Sequence, residues 1–154
     1  MVRNVHGYKM ANKLPRGTKT YVRSESGATT LDMWDYVNPS RRRNPDLFIL
    51  HTGTNDLRSG KQPEDIANEI IELALDIRTG ENEVAISELV IRNDKLNDKG
   101  KKVNECLKAK TSQHNLGFVE HHNITKEYLN NGGLHLTEDG DDLLSNNFVN
   151  FINI

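Results

Sequence analysis

The sequence predicts an α/β domain, a three-layer sandwich with a parallel sheet between helices. Three observations predict it. Leu47-Phe48-Ile49-Leu50 is an apolar run with no polar alternation, too short for a buried helix, as expected of a strand covered on both faces. It stops at a polar turn, Gly53-Thr54-Asn55-Asp56, at the strand's carboxyl end, where open α/β sheets hold their ligands. Helical and strand patterns then alternate along the chain, which implies parallel strands joined by right-handed crossovers.

Taken in order, residues 1–12 carry Val2, Val5, Tyr8, Met10 and Ala11 at loose helical spacing and predict a helix. Pro15 and Gly17 break the chain, and Thr18–Ser24, with Thr20, Tyr21 and Val22, predicts a short strand. The small-residue loop Ser26-Gly27-Ala28-Thr29-Thr30 leads into a short helix, Leu31–Val37, capped by Thr30 or Thr29. Asn38–Pro45 reads as a polar loop, and its Arg41-Arg42-Arg43 cluster as solvated. After the strand at Leu47–Leu50, residues 63–79 form the clearest helix. Pro63 stands at its first position, Glu64 and Asp65 complement its dipole, Gly80 stops it, and Ile66, Ile70, Leu73, Ala74 and Ile77 share one face. Val84–Ile91 predicts a strand in which Ser87 and Glu88 mark carboxyl-side exposure. Asn97–Ser112 predicts a basic helix with Val103, Cys106 and Leu107 inward. Leu116–Val119 predicts another strand, ending at His121-His122-Asn123, and Thr137 caps a last helix that buries Leu144, Phe148 and Ile152.

The 154 residues are the size of one domain, expected to span 1–154. A net charge of −2 gives no general attraction to nucleic acid or anionic membrane. The single cysteine, Cys106, excludes an internal disulfide and a cysteine-rich zinc site. It fits a reducing compartment, and an intracellular, cytoplasmic location is expected. Residues 1–6 lead into no apolar stretch of a signal peptide, and no apolar run approaches the ~20 residues of a membrane span. His121 and His122 with His51 and His135 match no metal-ligand spacing, and adjacent strand residues point to opposite faces. A half-exposed strand-end pair is the better reading, and neither metal nor cofactor is expected. Trp34 and Tyr36 read as cover for the short helix.

Three turns should meet at one rim of such a sheet: the one at Gly27, Gly53-Thr54-Asn55-Asp56, and Leu134-His135. A glycine N–H and an asparagine amide suit an oxyanion hole, where one donor is worth ~3 kcal/mol. A histidine on a third loop suits a general base. His135 alone would pass for an ordinary helix-start histidine packed on Thr137; together with Gly27 and Asn55 it does not. Asp56 reads as structural, bonding turn amides.

On these residues the whole chain resembles the SGNH, or GDSL-type, hydrolase superfamily, and especially the small esterase-like domains of invertebrate retrotransposon-related proteins. The resemblance implies a flavodoxin-like sandwich and hydrolysis of ester or acetyl bonds through a serine nucleophile, with a small ester or acetylated substrate. It implies that Gly27 and Asn55 are oxyanion donors, that Gly53, Thr54 and Asp56 build the supporting turn, and that His135 is the base. Two departures stand out. The family has an acidic residue three positions before its histidine, where this sequence has Gly132. Losing such an orienting carboxylate has cost about 10⁴ in kcat in a serine protease. The family's Gly-Asp-Ser block is also missing, and none of Ser24, Ser26, Ser40, Ser59, Ser87, Ser112 and Ser145 follows a buried strand and opens a helix. Met1 is expected to be an internal methionine of a longer ancestral domain, so that the chain starts inside the first helix, without the family's first strand. In the resembling fold that strand separates Thr20–Val22 from Leu47–Leu50. The two are then expected to pair directly or to accept a strand from another chain, and their open edges offer a surface for self-association. The domain is expected to be silent or nearly so; a non-catalytic binding module derived from a mobile element is the alternative.

Overall fold

The structure is a computed structural model that describes Met10, residues 13–25 and residues 27–153. The helix expected over 1–12 therefore lies outside the described residues, apart from Met10, whose side chain is buried. Among the described residues three parallel strands form the sheet, in the order β1 (Leu47–Leu50), β2 (Glu83–Ser87), β3 (Gly117–Val119). Leu47 is level with Glu83 and Leu50 with Ile86; Ala85 is level with Gly117 and Ser87 with Val119. The helices are α1 (Thr30–Tyr36), α2 (Asn38–Arg42), α3 (Pro63–Ile77), α4 (Asn97–Gln113) and α5 (Glu138–Ile152).

Strand periodicity sorts the core into two halves. Leu50, Val84 and Ile86, with Phe48 and Phe118, pack on one side with the inward faces of α3 and α4 and with Val37. Ala85 and Val119, with Leu47 and Ile49, pack on the other side against Leu144, Phe148 and Val149 of α5. The sheet is thus the middle layer of the expected sandwich. The α3 face is buried as its spacing predicts, from Ile66 through Ile77. Thr29 caps α1 through a capping box with Asp32, and the Thr137 hydroxyl accepts the Gly140 N–H to cap α5.

Gly117 lets α5 approach the sheet. A Cβ there would lie 2.7 Å from Phe151 Cζ and 2.9 Å from Ala85 Cβ. Gly117→Ala is expected to cost about 2 kcal/mol through overpacking, read as a lower urea midpoint with an unchanged slope.

Four expectations are corrected. Thr18–Ser24 is not a strand. It alternates between more and less exposed residues, but makes no ladder among the described residues and does not pair with β1, whose described neighbour is β2. A β-rich pattern specifies a face; a strand also needs a neighbour to take its backbone hydrogen bonds. Asn38–Pro45 is not all loop: α2 occupies Asn38–Arg42, with Pro39 in its first turn, a site where a missing N–H costs nothing. Nor are the arginines simply solvated, since Arg41 pairs with Asp76 at 2.8 Å and Arg43 lies 3.9 Å from the Tyr21 ring centroid. Finally, β2 ends at Ser87 instead of running to Ile91. The Asn104 side chain of α4 takes over the backbone of Leu89, accepting its N–H at 2.7 Å and donating to its carbonyl at 2.9 Å.

No helix among the described residues is long and apolar enough to cross a membrane.

Candidate active site

Two of the three expected turns are built onto one another. After β1 the chain bends at Gly53 and enters a 3-10 turn at Asn55–Arg58. The Asp56 carboxylate is buried beneath it and accepts two hydrogen bonds from Thr30, from the backbone N–H at 3.1 Å and from the hydroxyl at 2.9 Å. Asn55 Nδ2 donates to the Ala28 carbonyl at 2.8 Å. An amide nitrogen carries two hydrogens, so this bond fixes the plane of the group and leaves one donor uncommitted by it. Gly27, at φ +77°, and Asn55 are both exposed to solvent. Thr54 is exposed and Gly53 buried.

His135 stands on a separate loop. The Leu129–Leu136 bridge and the hydrogen bond from Asn130 N–H to the His135 carbonyl at 2.8 Å close that loop. Asn93 N–H donates to the Gly133 carbonyl at 2.9 Å, tying the loop to the segment that follows β2. The imidazole is exposed and has no hydrogen-bond partner among the described residues. Gly132 gives only its N–H, to Asn130 Oδ1 at 3.1 Å. Hydrogen bonds therefore join the Gly27 and Asn55 turns, whereas among the described residues none joins His135 to either. Ser26 lies outside the described residues.

The sequence reading missed a buried polar chain at the strand ends. Ser87 Oγ lies 2.7 Å from His51 Nδ1 and 2.6 Å from His121 Nε2. Asn147 Nδ2, from α5, lies 3.0 Å from His121 Nδ1 and also donates to Asn123 Oδ1 at 2.8 Å. The rings of His51 and His121 both meet Phe148 edge-on, with centroids 6.0 and 5.3 Å away. Ser87 is fully buried, not a mark of exposure, and of the histidine pair His121 is buried and His122 exposed. Face parity held the signal: His51 follows Ile49 by two residues, Ser87 follows Ala85 by two, and His121 follows Val119 by two, all on the α5 side.

Burial, with His122 alongside, pushes the His121 imidazole from 6.5 down to about 4. Burial likewise pushes the Glu88 carboxyl up, against the hydrogen bond it accepts from the His121 N–H at 2.6 Å. Because the folded ring holds its proton less tightly than the unfolded one, the closed native state keeps its full stability above about pH 6.5. It loses up to about 3 kcal/mol, relative to states that expose the ring, as pH falls from 6.5 to about 4. Urea midpoints at pH 7 and pH 4.5 check this. They are expected to converge in His121→Gln, whose amide keeps both hydrogen bonds and does not titrate.

The sequence matches the GDSL-like lipase/acylhydrolase family over residues 3–143. The chain belongs to that family. Solved structures of the same fold include a member of the lipolytic G-D-S-L family from Veillonella parvula, with TM-score 0.79 and 18% identity over 97% of this chain and 88% of that one. A carbohydrate acetylesterase from Sinorhizobium meliloti, Est24, gives TM-score 0.79 and 20% identity over 96% and 84%. An aryl esterase from M. smegmatis gives 0.78 and 19% over 99% and 85%. At these identities they establish the fold of this GDSL-like domain. No curated protein sequence matches it. Among its described residues no group of His, Cys, Asp and Glu side chains has an arrangement that could hold a metal ion.

Proposed function

We propose that this GDSL-like domain is of the SGNH esterase type, with Gly27 and Asn55 as oxyanion donors and His135 as the base. Gly53, Thr54 and Asp56 form the supporting turn. The observation that carries this reading is the bonding of the two donor turns, Asn55 to Ala28 and Asp56 to Thr30. A small ester or acetyl group is the substrate class, supported by family membership and by the acetylesterase and aryl esterase that share the fold.

In the sequence as it stands the reaction lacks its nucleophile. No Gly-Asp-Ser triplet occurs, and Ser87, the serine that lies between two imidazoles, is sealed from solvent. The domain is therefore silent or nearly so. Hydrolysis of a short-chain nitrophenyl ester is expected to match that of His135→Ala protein. Turnover abolished by His135→Ala would overturn the silence and uphold the base. Any such turnover is expected to fall 100-fold or more in Asn55→Ala, the usual cost of one oxyanion donor.

A second reading, a non-catalytic module that binds a ligand or partner, is favoured by the same pairing of an assembled donor turn with a missing nucleophile. Titration with acetate is expected to show weakened binding in Asn55→Ala; binding that ignores this change would exclude use of the cleft.

A further inference from the structure

Asn147 Nδ2 can only donate, so the nitrogen it meets, His121 Nδ1, accepts. The His121 proton then sits on Nε2 and is donated to Ser87 Oγ, which also meets His51 Nδ1 at 2.7 Å and the Glu88 carbonyl at 3.4 Å. The chain from Asn147 to His51 thus links α5 to the ends of β3, β2 and β1. Its α5 end is also its cover, because Asn147 and Phe148 close over the His121 ring.

We propose that this chain is a proton-sensitive latch: it holds α5 on the sheet while His121 is neutral and lets α5 go when His121 gains a second proton. That proton would go on Nδ1, donor against donor with Asn147. It would also place a cation in a site 3% exposed to solvent. The charged and titratable groups around the ring offer little relief. Glu88, at the end of β2, spends Oε1 on the His121 backbone N–H. His51, beyond β1, becomes a like charge if it protonates. On the strand's own extension, His122 is a potential like charge and Glu120 is paired with Lys108 at 2.7 Å. From α5, Asn147 and Phe148 meet the ring, and neither titrates. Thr137, which caps α5, is two residues from His135 and donates its N–H to the Tyr128 carbonyl at 2.7 Å, so the His135 loop adjoins the N-terminal end of α5. The inference does not depend on the esterase reading.

Hydrogen exchange of the whole chain at pH 7 and pH 4.5, corrected for intrinsic rates, tests it. Protection of α5 amides is expected to drop at least tenfold at pH 4.5 and to lie well below that of α3, with no drop in His121→Gln. α5 protection equal to that of α3 at pH 4.5, or the same loss in His121→Gln, would overturn it. Nitrogen-detected imidazole spectra of the unmutated protein give a reading that needs no variant. His121 is expected in the Nε2–H form at pH 7, and an Nδ1–H ring would refute the latch.

Discussion

Replacing Gly53 with valine is expected to cost about 4 kcal/mol of stability, lowering the thermal midpoint by roughly 10 °C or more. Two effects add. Gly53 has φ +119°, a backbone conformation that a β-branched residue rarely adopts, at about 1–3 kcal/mol. Its missing side chain also leaves space already taken: a Cβ would lie 2.9 Å from both Ile70 Cδ1 and Leu89 Cδ2. Ile70 is fully buried and Leu89 nearly so, so neither has much room to yield, and overpacking adds about 1–3 kcal/mol. Gly53→Ala is expected to fall between the two proteins. A midpoint unchanged in Gly53→Val would mean that the turn relaxes freely, contrary to this packing.

Asp56→Ala is expected to be as damaging, at about 4 kcal/mol. The carboxylate is buried, and its removal leaves the Thr30 N–H and hydroxyl, also buried, without their acceptor. Each orphaned donor costs about 1–3 kcal/mol, beyond the loss of a charge-assisted bond. The change should also reach the site, since Asp56 fastens the 27–30 loop beneath Asn55. The double variant Asp56→Ala/Thr30→Val is the check: removing the hydroxyl as well should recover part of the loss. A double variant no better than the sum of its parts would show that the pair is not coupled.

The layers of the fold were legible because their signals are local and repeated. The α3 face repeats every three to four residues from Ile66 to Ile77, and a proline and two acids mark its start. The β1 run and its turn gave the parallel sheet and its carboxyl rim. Thr18–Ser24 was misread because a strand's existence depends on a partner elsewhere in the chain, and composition does not report partners. The end of β2 was misread for a similar reason: the Asn104 amide, on another element, supplies the backbone bonds that a ladder would have made. At the site, the meeting of the Gly27 and Asn55 turns and the structural role of Asp56 were legible, whereas Thr30 as the partner of Asp56 emerges only when two loops 26 residues apart are seen to bond. The His51–Ser87–His121 chain stayed hidden because each residue alone reads as an ordinary polar strand end. Their shared parity becomes informative only once the register of all three strands is known.

Labelling with a fluorophosphonate tests most directly the proposed oxyanion cradle without an attacking hydroxyl. Intact-mass analysis after prolonged exposure is expected to show unmodified protein, with no adduct on any of the seven serines. A stoichiometric adduct on one serine, lost on heat denaturation and reduced in His135→Ala, would contradict it and identify the nucleophile.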